Sequence, residues 1–391
     1  MSQPAVAPSA APRLLTVRFA LTCAAIFFLF GSFFLLMPAI PLYVLEAGGS
    51  EGEVGLVVGA FSVSSLLLRP PVGRGVDRRG RWPFLLAGCL VFVASSLLYP
   101  AARTVPRLVL LRVVHGAGIA CFSTAANTSL ADLAPPSGRG RAMGYSGMFL
   151  NLSVALAPAL GALLLQARGF LSVFLAAAGS AVVALVCSAL LGETAPAGEA
   201  ARPEGAARGP LVSRPALFPS AVLLLSTTTY GAVVTFLPLL AAERRLGSPG
   251  LFFAVYAAGV IAARLVAGPA SDRLGRGVTT PPGLLGMALA MAVLAAAGSR
   301  AGMALAAALY GLGLGALLPD IQALTVDRAP GPERGAAMAT LSSAFDLGIA
   351  LGAGCLGWLL PRGGFGLLFC AAGLPAAAAL PLFALGRRRG L

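Results

Sequence analysis

The stretch that decides the fold reads RPPVGRGVDRRGR at residues 69–81, and a similar stretch, RLVAGPASDRLGR, occupies residues 264–276. Aligned at a spacing of 195 residues, the two share Arg, Gly, Asp, Arg, Gly and the final Arg. Residues 115–118 (HGAG) and 310–313 (YGLG) keep the same spacing, so each copy fills half of the 391-residue chain. In an apolar chain, such a repeat is typical of a secondary transporter whose substrate site lies between two similar halves.

The composition places this chain in a bilayer. Hydrophobic residues make up 58% of it and charged residues 11%, whereas a soluble domain carries about 25% charged residues. The net charge of +14 comes from Arg residues spread over short loops, so we expect no nucleic-acid partner. The six Cys lie in apolar segments without ligand-like spacing. We therefore expect no metal site and no cofactor.

The hydrophobic pattern predicts an all-α membrane protein with twelve transmembrane helices in two pseudo-symmetric six-helix halves. The predicted spans are residues 19–44, 54–73, 83–101, 107–130, 141–166, 170–191, 216–240, 250–270, 282–299, 301–325, 336–360 and 364–386.

The polar segments between these spans divide the chain. We expect a cytoplasmic N-terminal tail (1–18), an N-terminal six-helix half (19–191), a cytoplasmic linker (192–215), a C-terminal six-helix half (216–386) and a basic C-terminal tail (387–391). With both termini in the cytoplasm, eighteen Arg fall in cytoplasmic segments and seven in outer loops. That bias agrees with the positive-inside rule and predicts this orientation.

Three motifs, taken with the two six-span halves, resemble the major facilitator superfamily over nearly the whole chain. The first is the loop after span two, which resembles the family's Gly-x-x-x-Asp-Arg-x-Gly-Arg signature and recurs in the second half. The resemblance implies a gate made of Gly73, Asp77, Arg78, Gly80, Arg81, Gly268, Asp272, Arg273, Gly275 and Arg276. The alternative for the Arg residues is a solvated basic loop.

The second motif lies in span four, where Arg112, His115 and Gly116 share one helix face. It resembles the family's Arg-x-x-x-Gly-x-Gly segment, with His115 standing where the family usually has Gln. The resemblance implies proton transfer through Arg112. For His115, the only His of the chain, a packed neutral side chain and a pH-responsive neighbour of Arg112 both remain open.

The third motif is in span five, where Ala157, Pro158 and Gly161 resemble the Gly-Pro-x-x-Gly segment of proton-driven exporters. Ala157 replaces the usual Gly. This antiporter-like motif favours export and places the chain nearest the 12-span drug or metabolite:proton antiporters.

Two acids fall inside predicted spans. Asp346 lies ten residues into span eleven, about 15 Å deep at 1.5 Å per residue, and Asp320 lies in span ten. Ionisable groups at such depth are functional or paired, so we expect Asp346 first and Asp320 second to couple transport to protons. The alternative for each is a structural salt bridge. Arg69 and Arg264 are repeat equivalents, for which we expect a shared structural role.

Polar and aromatic side chains within the spans are candidates for the substrate cavity. An aromatic, Met-rich wall suits amphipathic molecules. The candidates are Phe30, Phe34, Met37, Asn127, Asn151, Tyr230 and Gln322.

These features predict a monomeric exporter of a small organic molecule, drug-like compound or metabolite, driven by proton antiport in the bacterial inner membrane. Its partners would be the substrate, protons and lipid. A proton-coupled or facilitated importer of a small metabolite with the same fold is the alternative. The sequence contains no nucleotide loop or nucleophile constellation, so we expect no enzyme. A nontransporting receptor or scaffold remains a further alternative.

Overall fold

The computed structural model describes residues 16–134, 139–195, 212–274, 277–329 and 333–388. Within these ranges the chain is helical and forms no strand. The helices are α1 (Val17–Leu36), α2 (Ile40–Glu46), α3 (Glu51–Arg79), α4 (Trp82–Leu98), α5 (Val105–Leu133), α6 (Arg139–Leu191), α7 (Leu217–Glu243), α8 (Pro249–Leu274), α9 (Thr280–Ala296), α10 (Arg300–Arg328), α11 (Arg334–Gly354) and α12 (Leu360–Arg388).

The helices are long enough for twelve membrane spans. In the described part of the chain, nine helical stretches are long and apolar enough to cross a bilayer, and Thr280–Ala296 is a shorter apolar helix. Two of the nine, Tyr145–Leu191 and Ala336–Arg387, have the length of two spans each. The helix breaks at Gly169 (φ 75°) in the first of them and at Gly363 and Gly364 in the second. The predicted all-α fold with twelve spans is therefore confirmed.

Glycine packing shows the repeat at the level of individual contacts. A Cβ on Gly116 of α5 would overlap the carbonyl oxygen of Phe61 in α3, and a Cβ on Gly311 of α10 would overlap that of Tyr256 in α8. Both members of the second pair lie 195 residues after those of the first. Since only Gly permits this backbone approach, the two halves use the same helix crossing.

A second pair of crossings repeats at the same spacing. A Cβ on Gly88 would stand 2.7 Å from the carbonyl oxygen of Gly118, and one on Gly283 would stand 2.8 Å from that of Gly313. Here α4 meets α5 in the first half, and α9 meets α10 in the second.

The halves meet along two helix pairs, α3 with α11 and α6 with α8. Glycine makes the first crossing close, because a Cβ on Gly55 would stand 2.6 Å from the carbonyl oxygen of Ala353. Helices from both halves thereby enclose a central space, and the candidate site lies there.

Candidate functional site

A cavity of about 90 Å³ lies between the two halves. Its walls come from α1, α3, α5 and α6 in the first half and from α7, α10 and α11 in the second. Many of its residues are repeat equivalents, so the walls are related by the internal symmetry. The equivalent lining pairs are Ser123 and Leu318, Asn127 and Gln322, Ser146 and Leu341, Gly147 and Ser342, Leu150 and Phe345, and Asn151 and Asp346.

Asp346 lies in this cavity and forms a salt bridge with Arg69. The pair joins α11 of the second half to α3 of the first, and the Arg69 and Asp346 side chains are 17% and 25% exposed. Both charges are thus largely withdrawn from solvent while still lining the cavity. A carboxylate in this position can exchange its Arg partner for a proton or for a cationic ligand group.

Arg69 and Arg264, for which we expect a shared structural role, have different surroundings in the structure. Of the two repeat equivalents, only Arg69 lines the described cavity. The physical reason is the asymmetry of the acids: Asp346 offers a carboxylate to Arg69, whereas its repeat equivalent, Asn151, carries no charge. The sequence indicated that charges inside apolar spans are expected to pair, but it did not show which Arg pairs with Asp346.

Amide side chains form a second contact across the cavity. The Nδ2 atom of Asn151 in α6 donates to the Oε1 atom of Gln322 in α10 over 3.4 Å. Asn127 also lines the cavity. Three of the polar side chains selected from the sequence therefore meet in one place.

The aromatic candidates divide between the cavity and the packed core. Phe30 lines the cavity. Phe34 stacks on Phe30 with ring centroids 6.3 Å apart and meets the edge of Tyr230 at 6.2 Å. Phe34, Tyr230 and Met37 are buried and do not line the described cavity, so they extend its aromatic wall into the core.

Arg112 and His115 lie in a buried aromatic cluster of the first half. The Arg112 guanidinium stands 4.5 Å from the ring centroid of Phe61 and donates to the carbonyl oxygen of Val57 at 3.4 Å. His115 Nδ1 lies 3.0 Å from the Tyr99 hydroxyl. Neither Arg112 nor His115 lines the described cavity, so the structure does not bring them together with Asp346.

Asp320 has local partners outside the cavity. It is buried, accepts from the Thr280 hydroxyl at 2.6 Å and accepts from the backbone N–H of Gly277 at 3.1 Å. Thr280 is the first residue of α9. These contacts hold the start of α9 against α10 and favour the structural alternative for this acid.

The first signature loop packs against the end of α6. Gly80 ends α3 with φ 89°, and a Cβ there would overlap the carboxylate of Glu193. That carboxylate accepts from the backbone N–H groups of Arg81 and Trp82 at 3.1 and 3.2 Å. Arg81 also pairs with Asp132 of α5 at 2.8 Å. Gly80 is favoured here mainly by its positive φ, which strains any residue with a Cβ.

Sequence reasoning missed two residues that bind this loop, Glu193 after α6 and Asp132 in α5. Glu193 lies in the predicted linker, far along the chain from Arg81. Burial acts to raise the pKa of Glu193, but backbone N–H donors of Ala195, Arg81, Trp82 and Thr194 outweigh it and lower the pKa below its ordinary value.

The remaining signature residues make fewer described contacts. Asp77 and Arg78 are exposed, and a Cβ on Gly73 would lie 4.0 Å from the Thr124 methyl group. In the second half, Gly275 and Arg276 lie outside the described residues, and the structure describes Gly268, Asp272 and Arg273 only as part of α8.

The antiporter-like motif lies where α6 packs on α1. A Cβ on Gly161 would overlap the carbonyl oxygen of Leu35, and Ala157 is buried. Pro158 lies inside α6 and leaves the helix without one backbone donor. This segment is a close crossing of two helices of the first half.

Comparisons with solved structures agree with this architecture. The fold is similar to that of the human organic anion transporter MFSD10 (TETRAN), with a TM-score of 0.69, 18% sequence identity and coverage of 94% of this chain and 99% of that one. It is also similar to a POT family transporter solved in complex with 5-aminolevulinic acid, with a TM-score of 0.74, 13% identity and coverage of 94% of both chains. At these identities the likeness concerns the fold.

Curated relatives match part of the chain. Multidrug resistance protein 1 of Bacillus subtilis is 29% identical over 152 residues, which is 39% of each protein. Quinolone resistance protein NorA of Staphylococcus aureus is 26% identical over 136 residues, or 35% of each. The chain thus matches well under half the length of these relatives.

A family-wide sequence comparison covers nearly the whole chain. The sequence model of the Major Facilitator Superfamily matches residues 22–252 and 246–390. Together with twelve spans in two repeated halves around a central cavity, this match shows that the chain belongs to the Major Facilitator Superfamily and is a multi-pass membrane transporter, not an enzyme.

Proposed function

We propose that this transporter exports a small organic molecule from the bacterial cytoplasm in exchange for protons, with Asp346 carrying the proton. The observation that supports the proposal most directly is the Arg69–Asp346 salt bridge in the cavity between the halves. Among the described lining residues, Asp346 is the only acid. It is therefore the group through which protons would compete with substrate.

The ion pair supplies a switch because it crosses from one half to the other. When Asp346 is ionised, its attraction to Arg69 holds α11 against α3. When Asp346 takes up a proton, the charge that holds Arg69 is lost, and the contact between the halves weakens. A ligand that favours one of these states shifts the alternating-access equilibrium by its difference in affinity.

The remaining cavity side chains suit an amphipathic molecule. Phe30, Phe345 and Met338 supply apolar surface, and the amides of Asn127, Asn151 and Gln322 supply hydrogen-bonding groups. Apolar walls with a few placed polar groups are typical of small-molecule sites.

The proposed direction of transport and the proposed orientation in the membrane are supported by the relatives and by the distribution of Arg residues. The partial relatives named above are resistance proteins of bacteria, and the motif around Pro158 resembles that of exporters. The Arg bias supports a cytoplasmic location for both termini, the linker and the first signature loop. A monomer suffices, because both walls of the cavity come from one chain.

The proposal can be tested in everted membrane vesicles with an acidic lumen, in which a pH-sensitive dye reports proton exit as compounds are added. We expect substrates to alkalinise the lumen in wild-type vesicles and not in Asp346→Asn vesicles. Glu243→Gln is the matched control, since Glu243 is an exposed acid at the end of α7, away from the cavity. If Asp346→Asn vesicles with the same amount of transporter alkalinise as much as wild-type vesicles, the proposed role of Asp346 is refuted.

The alternative function is import of a small metabolite with protons. In the same vesicles an importer would move compound and proton together out of the lumen. This alternative would be identified if vesicles preloaded with the compound lose it as the lumen becomes alkaline, and do not take up the compound from outside.

A further inference from the structure

The charges of the central cavity balance within a single ion pair. Among the described residues that line it, Arg69 and Asp346 are the only charged side chains, one of each sign. Every other described lining residue is apolar, an amide, a hydroxyl or Gly. A ligand that enters this cavity therefore meets one cation and one anion in contact.

A ligand with a single charge would break this balance. A cation bound to Asp346 leaves the Arg69 guanidinium without its counter-ion, and an anion bound to Arg69 does the same to Asp346. A charge left without a partner in a largely buried site is strongly unfavourable. A molecule with one charge of each sign can replace both contacts and leave neither side chain alone.

Two buried side-chain atoms of the cavity-lining residues have unused hydrogen-bonding capacity. The Nε atom of Arg69 is buried and has no hydrogen-bond partner among the described residues. The Oδ1 atom of Asn151, also in the cavity, is likewise buried and without a partner in the described part of the chain. One is a donor suited to a carboxylate and the other an acceptor suited to an ammonium group.

We infer that the cavity binds zwitterions: amphipathic molecules with an ammonium group held by Asp346 and Asn151, and a carboxylate held by Arg69. Arg is suited to this task because its planar group can bind a carboxylate through two hydrogen bonds. The apolar body of the molecule would rest on Phe30 and Phe345. This inference rests on the proposed function and adds the charge class of its substrate.

A zwitterion also determines how export responds to voltage. A zwitterion has no net charge, so its exchange for one proton moves one positive charge per cycle. Exchange of a monocation for one proton would move none. Zwitterion export should therefore be driven by a membrane potential alone, as well as by a pH gradient.

Four derivatives of one molecule test the inference. Nε-dansyl-lysine is a fluorescent zwitterion; its methyl ester is a cation, its Nα-acetyl form an anion, and the doubly blocked form neutral. Uptake of each is measured in proteoliposomes of the full chain with an acidic lumen, after subtraction of protein-free liposomes. We expect the zwitterion to enter at least about tenfold faster than either singly charged form, a difference of about 1.4 kcal/mol. A lumen-positive potential should accelerate it without a pH gradient.

The Arg69→Gln variant provides a second readout. It leaves Asp346 as the only described charge of the cavity, so the preference should shift from the zwitterion towards the methyl ester. Equal wild-type uptake of the ester and the zwitterion, or an unchanged preference in the variant, would overturn the inference.

The outcomes separate this inference from the proposed function. Proton-coupled movement of the methyl ester without the zwitterion overturns the charge class and leaves proton-coupled export standing. If none of the four forms is transported, the inference is tested with the substrates that the everted-vesicle assay identifies. It is overturned if those substrates carry a single charge and none is a zwitterion. A vesicle assay that finds no proton-coupled compound removes the proposed function itself.

Discussion

Arg69 and Asp346 stand 277 positions apart in the sequence and form a salt bridge that joins the two halves of the transporter. Their repeat equivalents are Arg264 and Asn151, so the internal symmetry provides two Arg positions and only one acid. The symmetry is broken at the cavity, where the described lining residues include one Arg–Asp pair.

Reversal of this pair should show whether the two charges interact. Arg69→Asp and Asp346→Arg alone each place like charges together, and each should lower the melting temperature of the detergent-purified protein by several degrees. The double variant restores opposite charges and should recover more than half of the loss. A double variant as unstable as the worse single variant would indicate that the pair contributes nothing to stability. Such cycles isolate the interaction between neighbouring residues.

Asp320→Asn should affect stability more than coupling. The Asp320 carboxylate accepts from Thr280 and from the Gly277 backbone, and bonds to a charged group contribute roughly 1.5–3 kcal/mol each. We expect a lower free energy of unfolding, with an unchanged number of protons per substrate in the molecules that fold. If Asp320→Asn instead loses proton coupling while its melting temperature is unchanged, Asp320 takes part in proton transfer.

The repeated helix crossings predict equal penalties in the two halves. Gly116→Ala and Gly311→Ala each drive a methyl group into a carbonyl oxygen of the neighbouring helix, and overpacking of this kind costs roughly 1–3 kcal/mol. The matched control is Gly179→Ala in α6, where a Cβ meets nothing within 4 Å. Thermal unfolding should show two similar losses and a neutral or stabilised control. A loss in one half alone would mean that the crossings differ in their importance.

The lowered pKa of Glu193 predicts how the signature loop responds to acid. Because the folded-state pKa lies below the ordinary value of 4.5, the carboxylate contributes stability that is present above pH 4.5 and is lost as the pH falls through the folded-state value. Glu193→Gln should therefore lower the melting temperature at pH 7, and its difference from the wild type should shrink at acid pH. Glu243→Gln is again the control. A difference independent of pH would refute the ionic contribution.

Much of the fold follows from local sequence information. Spans are visible because each is an apolar stretch of bilayer length, and the repeat is visible because Gly73 and Asp77 recur as Gly268 and Asp272. The break between spans five and six, at Gly169 in the structure, falls between the predicted spans 141–166 and 170–191. These features depend on neighbouring residues, and sequence patterns report them directly.

Pairings between distant residues were harder to predict. Asp346 stood out as an acid inside a span, but the sequence left its partner open. Asp320 had the same signal, and only the tertiary fold shows that the Thr280 hydroxyl and the Gly277 backbone satisfy it. Likewise, a helical face places Arg112 beside His115, while the aromatic rings that enclose them come from other helices. Polarity and position select candidates, but the fold decides which share a cavity.

The central claim is that substrate and proton compete for Asp346. The most direct test adds substrate to detergent-purified transporter in weakly buffered solution and measures proton release with a pH dye over a series of pH values. We predict that the wild type releases up to about one proton per substrate bound, as expected for a single shared site. Asp346→Asn lacks the carboxylate that holds the ammonium group of the substrate, so it should bind more weakly and, at substrate concentrations that saturate it, release none. Equal proton release by the two proteins would contradict the account.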